Sequence, residues 1–409
     1  MKMNLVLFAF LGVVLSANAL SPTVVKDSVS FKKHSPNKVV VTYELENAPA
    51  IVTLDVLANG VSIGEDKLTE LSGDVNKLVE TSRGSITWIP GAGEKNLTNV
   101  AAVVTARPVS APPDYLVVDL RSGEHSYYVS SNAVPGGVTA DVYKTDKLVM
   151  RRIPARGVPW RMGSPSDETG HESRAGRGTE MPRMVTLSED YYIAIYPLTV
   201  RQQKNISDES YHTAEPLSVT ENDRMPADCS YSDMRGSPTA TAFDWPRDGH
   251  QVNGVAICGR LRNPDYVGID FDLPTSAQWE FACRAGTTGP TYYDGALTNI
   301  AWTSDNANGT KHPVGLLIPN AFGLYDMLGN KMEFVLDNRP SGAVSDGSPA
   351  LDPLGPTEHR SDNHRILRGG SFAYGASDNR SAWAYGTGYG TSDQYRGARL
   401  MCPVSLKFE

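Results

Sequence analysis

The chain has 409 residues, long enough for two or three domains that each bury a core. Hydrophobic residues make up 40% and charged residues 21%, which excludes wholesale disorder. A formal charge of −8 leaves no basic excess to displace counterions, so no nucleic-acid partner is expected.

The N-terminus reads as an export signal. Lys2 supplies a positive start, residues 5–15 form a short apolar core, and Ala17-Asn18-Ala19 matches a small-x-small cleavage site. Residues 1–19 are therefore expected to be removed, leaving a secreted or periplasmic protein. The apolar run is too short to span a bilayer, and no later stretch is long enough, so the protein is not expected to be membrane-embedded.

Residues 20–113 carry a β pattern throughout. Residues 39–45, 51–57, 85–89 and 100–104 are strand-length and rich in β-branched side chains. Turn signals such as Asn59-Gly60 separate them. Regular short strands over this length predict an immunoglobulin- or fibronectin-like sandwich. It contains no cluster of ionisable residues, so spacing or adhesion is its expected role. Pro108 and Pro112-Pro113 mark a linker, and residues 114–150 read as a β-rich connector.

From residue 151 to 409 the composition shifts toward Gly, Pro, Ser, Asp and aromatic residues, the mark of a loop-rich domain. One helix is well signalled there. Thr275 and Gln278 form a capping box, Trp279, Ala282 and Cys283 share a face, and Gly286 sits where a left-handed cap belongs. A second helix is predicted over residues 252–261, with Val252, Val255 and Cys258 on its inner face. The four cysteines, Cys229, Cys258, Cys283 and Cys402, contain no C-x-x-C pair, so a zinc ribbon is not indicated. Sequence alone leaves three ways to pair all four.

An ordered series of motifs runs through this second region. It includes Met162-Gly163-Ser164-Pro165, Leu273-Pro274-Thr275 with Gln278-Trp279-Glu280, and Gly323-Leu324-Tyr325-Asp326-Met327-Leu328-Gly329-Asn330. Arg368-Gly369-Gly370-Ser371-Phe372, Arg380-Ser381-Ala382 and Gly397-Ala398-Arg399 close it. In this order and spacing, residues 150–405 resemble the formylglycine-generating enzyme, or sulfatase-modifying factor, family. The fold implied is α+β: a loop-rich C-type-lectin-like domain, here preceded by the all-β sandwich.

Enzymes of that family oxidise a cysteine of a sulfatase segment with copper(I) held by two thiolates, soft ligands suited to that ion. The resemblance places those cysteines three and eight residues after the serine of the Gly-Gly-Ser motif. Here those positions are Tyr374 and Asn379. Copper is not expected, and no catalytic residue is assigned. The resemblance also implies a calcium site, with side-chain ligands Asp326 and Glu333 and carbonyl ligands Gly329 and Lys331. It implies a disulfide between Cys258 and Cys402, and leaves Cys283 either free or paired with Cys229.

The stretch from Ser371 to Arg396 mixes small polar residues with Tyr374, Trp383, Tyr385, Tyr389 and Tyr395. Rigid aromatic anchors beside small adaptable residues are the chemistry of an antibody paratope. The same composition is also what tight loop turns require. The expected binding surface comprises Ser371, Tyr374, Asn379, Trp383, Tyr385 and Tyr389, facing a protein, small-molecule or glycan ligand in the family's substrate groove. Two functions are thus carried forward: a secreted non-catalytic binding protein, and a divergent protein-modifying oxidase.

Overall fold

The structure, a computed structural model, describes residues 20–35, 37–171, 180–208, 218–236, 252–339, 347–355 and 364–404. The export-signal reading falls on residues 1–19, outside the described residues. The chain is strand-rich, with 33% of residues in strands against 12% in helices. Among the described residues, no helix is long and apolar enough to cross a membrane.

In the N-terminal part, strand Lys38–Glu46 lies between Arg83–Trp88 and the pair Thr23–Val24 and Ser30–Ser35. A second sheet is built on Ala50–Ala58, flanked by Val100–Arg107, Lys77–Val79 and Val61–Ser62. Side chains alternate between the two faces of a strand, and the burial follows that period. Val39, Val41, Tyr43 and Leu45 from the first sheet join Val52, Leu54 and Val56 from the second in one cluster around Trp88.

The larger unit is organised by an antiparallel sheet in the order His125–Tyr128, Tyr115–Asp119, Lys147–Ile153, Tyr191–Ala194, Met401–Pro403. Residues 114–150 are therefore no connector, because they supply the three strands at one side of the central sheet. Lys147–Ile153 pairs with Tyr191–Ala194, some forty residues further on, a neighbour that local strand patterning does not reveal. Alternate residues serve different cores: Leu116, Val118 and Met150 face one cluster, while Val117, Val149 and Ile193 face the other. A second sheet, in the order Ala384–Gly388, His364–Arg368, Met332–Asn338, Arg396–Ala398, divides its side chains the same way.

Helix Ser276–Arg284 forms as its capping box predicts. The Thr275 hydroxyl accepts from the Gln278 amide at 3.1 Å, and the Thr275 amide donates to the Gln278 side chain at 2.9 Å. Its left-handed residue is Ala285, at φ 46°, and Gly286 continues the turn at φ 95°. The predicted helix over residues 252–261 is shorter and later, Ile257–Arg262. Val255 stands before it, 73% exposed, because the turn of helix that would have turned it inward is not formed.

Candidate functional site

Strand His364–Arg368 ends in Gly369 and Gly370, both at positive φ. The second glycine is required by contact as well as by conformation. A Cβ at Gly370 would lie 2.3 Å from Asn379 Oδ1 and 2.5 Å from the Asp378 carbonyl, closer than any side chain tolerates. The loop that follows is tied down at several points. The Phe372 amide donates to the Asn330 carbonyl at 3.0 Å, and the Ser304 amide donates to the Tyr374 carbonyl at 3.0 Å. Asn379 Nδ2 donates to the carbonyls of Tyr374 and Gly375, both at 2.8 Å. Asn379 thus closes the loop on itself.

Trp383 is fully buried and donates its Nε1 hydrogen to Asp378 at 3.1 Å. Tyr385 stacks on it nearly parallel, at 6.0 Å between centroids, and Tyr374 tilts against its ring at 6.2 Å. The result is a row of three rings with Tyr374 and Tyr385 half-buried at either end. Tyr389 is half-buried as well and packs on the same core. The expected binding surface is therefore corrected in part. Tyr374, Tyr385 and Tyr389 reach the surface, whereas Ser371, Asn379 and Trp383 are buried and hold the loop from beneath. Exposed small and polar residues, Ala373, Ala376, Ser377 and Gly390 to Ser392 among them, accompany these rings at the surface.

The Cys258–Cys402 bridge implied by the resemblance is not formed; all four cysteines are buried free thiols. Cys258 and Cys402 share one apolar cluster, where the neutral thiol is favoured over the thiolate. Burial pushes Cys229 and Cys283 up to about 12, and the other two higher still. Cys283 Sγ lies 3.6 Å from Ser381 Oγ, to which it donates.

The residues implied for calcium are drawn to the centre of the domain. Asp326 and Glu333 are 3% and 1% exposed. Glu333 accepts from Trp279 Nε1 at 2.6 Å and pairs with Arg399 at 2.9 Å. Asp326 accepts from the Gly315 amide at 2.7 Å. Burial, with the charge of Glu333 adding to it, pushes its carboxyl up to about 6. Carboxylate and carbonyl oxygens are of the kind a hard cation takes, but Glu333 is already neutralised by Arg399, and Asp326 lies in the field of Arg399 and Lys144. Gly329 hydrogen-bonds through its amide to the Gly369 carbonyl at 2.8 Å, so this loop and the Gly-Gly-Ser loop are joined. Lys331 has a buried side chain that donates to the Ala227 and Arg396 carbonyls at 3.1 and 3.2 Å and pairs with Asp228. Burial lowers it to about 8.

Three buried ion clusters brace these loops, and none was assigned from sequence. Glu280 binds both Arg284 and Arg368 at 2.8 Å. Arg380 pairs with Glu168 at 2.7 Å and Glu180 at 2.8 Å, fastening residues 164–171 to the loop after Ser371. Arg399 adds to Glu333 the carbonyls of Ala194, Ile195 and Tyr325. Arg368, Arg380 and Arg399 lie within motifs already quoted, but a single sequence does not reveal which arginines turn inward.

A family model described as the sulfatase-modifying factor enzyme 1-like domain matches residues 156–403, well over half of the chain. The chain belongs to the sulfatase-modifying factor family. Its similarity to individual members is partial. The formylglycine-generating enzyme of Thermomonospora curvata is 31% identical over 118 residues, which are 24% of this chain and 38% of that one. The serine/threonine-protein kinase pkn1 of Chlamydia pneumoniae is 31% identical over 139 residues, 32% of this chain and 21% of the kinase. The chain thus spans less than half the length of these relatives. Among solved structures it is similar to Treponema denticola variable protein 1, at 22% identity and a TM-score of 0.45, over 63% of this chain and 95% of that one. Within the sulfatase-modifying factor domain of this chain, the Gly-Gly-Ser loop, the Asp326 loop and Arg399 form one connected interior.

Proposed function

We propose that this member of the sulfatase-modifying factor family is an exported, non-catalytic binding protein. The observation that carries the reading is Asn379. The position where the resemblance calls for a copper thiolate holds a fully buried amide, whose Nδ2 makes two loop hydrogen bonds while its Oδ1 has no hydrogen-bond partner among the described residues. The other such position, Tyr374, is one end of an aromatic row, and aromatic rings flanked by Gly and Ser suit adaptable recognition. The ligand is a protein, a small molecule or a glycan meeting Tyr374, Tyr385 and Tyr389, and the net charge argues against nucleic acid. The names of the relatives favour a second reading, a divergent oxidase, and copper separates the two. Purified protein titrated with copper(I) is expected to hold no stoichiometric copper. One tight site per chain would restore the oxidase.

Calcium belongs to the same proposal, as a structural ion held by Asp326, Glu333 and the carbonyls of Gly329 and Lys331. When bound, it would supply charge balance to Asp326 and stability to the loops. A ligand that binds only the folded state raises the melting temperature. Calcium is therefore expected to raise it by several degrees and a chelator to reverse the gain. An unchanged melting curve would remove the ion from the proposal.

A further inference from the structure

The central sheet of the larger domain has two edges, and a bare edge invites pairing with another chain. One edge, Met401–Pro403, is closed from within: Met401 and Asp272 exchange backbone hydrogen bonds at 2.8 and 2.9 Å. The other edge, His125–Tyr128, meets the N-terminal sandwich. The outward amide of Tyr127 donates to the Asn76 carbonyl at 2.7 Å. Asn76 sits at φ 56°, and its own amide is bonded to Val52 in the sandwich, which leaves its carbonyl facing the neighbouring domain.

Side chains repeat the message. Along Ala50–Ala58 the sandwich core takes Ala50, Val52, Leu54 and Val56, so Ile51 points away from it. A free sandwich would expose Ile51 to water. Here it is 1% exposed and belongs to the core cluster of Leu116, Val118 and Tyr127. Its cross-strand partner Leu78 packs on that same cluster. At the rim, the Ser130 hydroxyl donates to Glu65. The connecting chain is held too: Tyr192 donates to the Pro113 carbonyl at 2.5 Å, and Asp114 pairs with Arg151 and Arg152 at 2.9 and 2.8 Å.

We propose that the sandwich is a fixed guard on the His125–Tyr128 edge, with Ile51 and Leu78 as its plug, and not a free spacer. The surface it offers to the rest of the molecule has this chain's own edge strand as partner. Its removal would bare that edge to a second copy.

Hydrogen exchange on the full chain tests this. The Tyr127 amide, which points away from its own sheet, is expected to exchange as slowly as its neighbours in Tyr115–Asp119. Replacing Ile51→Thr and Leu78→Thr together keeps β-compatible residues and leaves the sandwich's own core untouched. In that variant the Tyr127 amide is expected to exchange at least about tenfold faster, while Val39 and Val41 stay protected. Unchanged protection of Tyr127 in the variant would overturn the proposal. Should the variant fail to fold, the wild type decides. A Tyr127 amide that exchanges like an exposed loop, or a sandwich that unfolds in denaturant ahead of the larger domain, would overturn it as well.

Discussion

Ser381 faces Cys283 at 3.6 Å, a distance that nearly suits a sulfur partner. The pair lies 98 residues apart in sequence, and closing a loop of that length stabilises by about 4–5 kcal/mol in the chain-entropy model. Ser381→Cys is therefore expected to form a bridge to Cys283, found by mapping non-reduced peptides, and to raise the melting temperature under oxidising conditions only. If the new thiol stayed free, the geometry between the helix and the Arg380 loop would be looser than described. The sequence left Cys283 either free or paired with Cys229, and could not tell that Ser381 would stand against it. It likewise identified Tyr374 and Asn379 as replacements for ligands. That one is half-exposed and the other a buried tie depends on Gly370, whose missing Cβ lets Asn379 come close.

Among the elements, helix Ser276–Arg284 shows how a local signal and a remote one combine. Its cap was legible because Thr275 and Gln278 are three residues apart. Its second anchor was not, since Asp337 comes from a strand sixty-one residues on and accepts from the Ser276 amide at 2.6 Å. The same carboxylate accepts from the Gly355 amide at 2.9 Å. Burial pushes Asp337 up to about 6, against the pull of those two amides and of Arg368. The folded state therefore holds this proton more firmly than the unfolded chain, whose aspartates titrate near 4. Stability from this group is fully present below about pH 4 and is lost as pH rises through 6, a change on the order of 2–3 kcal/mol. Denaturant melts between pH 4 and 7 are expected to show the decline. In Asp337→Asn, which does not titrate, that part of the slope should vanish, although one amide loses its acceptor. A slope unchanged by the substitution would assign it to other groups.

At the scale of the whole molecule, the ordered motifs identified the sulfatase-modifying factor domain that the family model matches over residues 156–403. The status of residues 114–150 was not legible, because strand neighbours in a sheet need not be neighbours in sequence. Their partner Tyr191–Ala194 lies beyond a long loop. Ile51 shows the same limit from another side. Within a β-branched run it reads as one more core residue, and only the assembled sheets reveal that it serves the opposite face.

The last strands of the larger domain carry a consequence for how the chain is made. Arg396–Ala398 lies parallel to Met332–Phe334 in one sheet, and Met401–Pro403 closes the central sheet beside Tyr191–Ala194. Arg399, between them, neutralises Glu333. All three come later in the sequence than every other described strand of the domain. Every strand of the sandwich has emerged from the ribosome once Arg107 has been made, whereas the larger domain lacks its last strand until residue 403 has emerged. For that whole interval the growing chain carries apolar strands still waiting for partners, and they are exposed to any chaperone or neighbouring nascent chain.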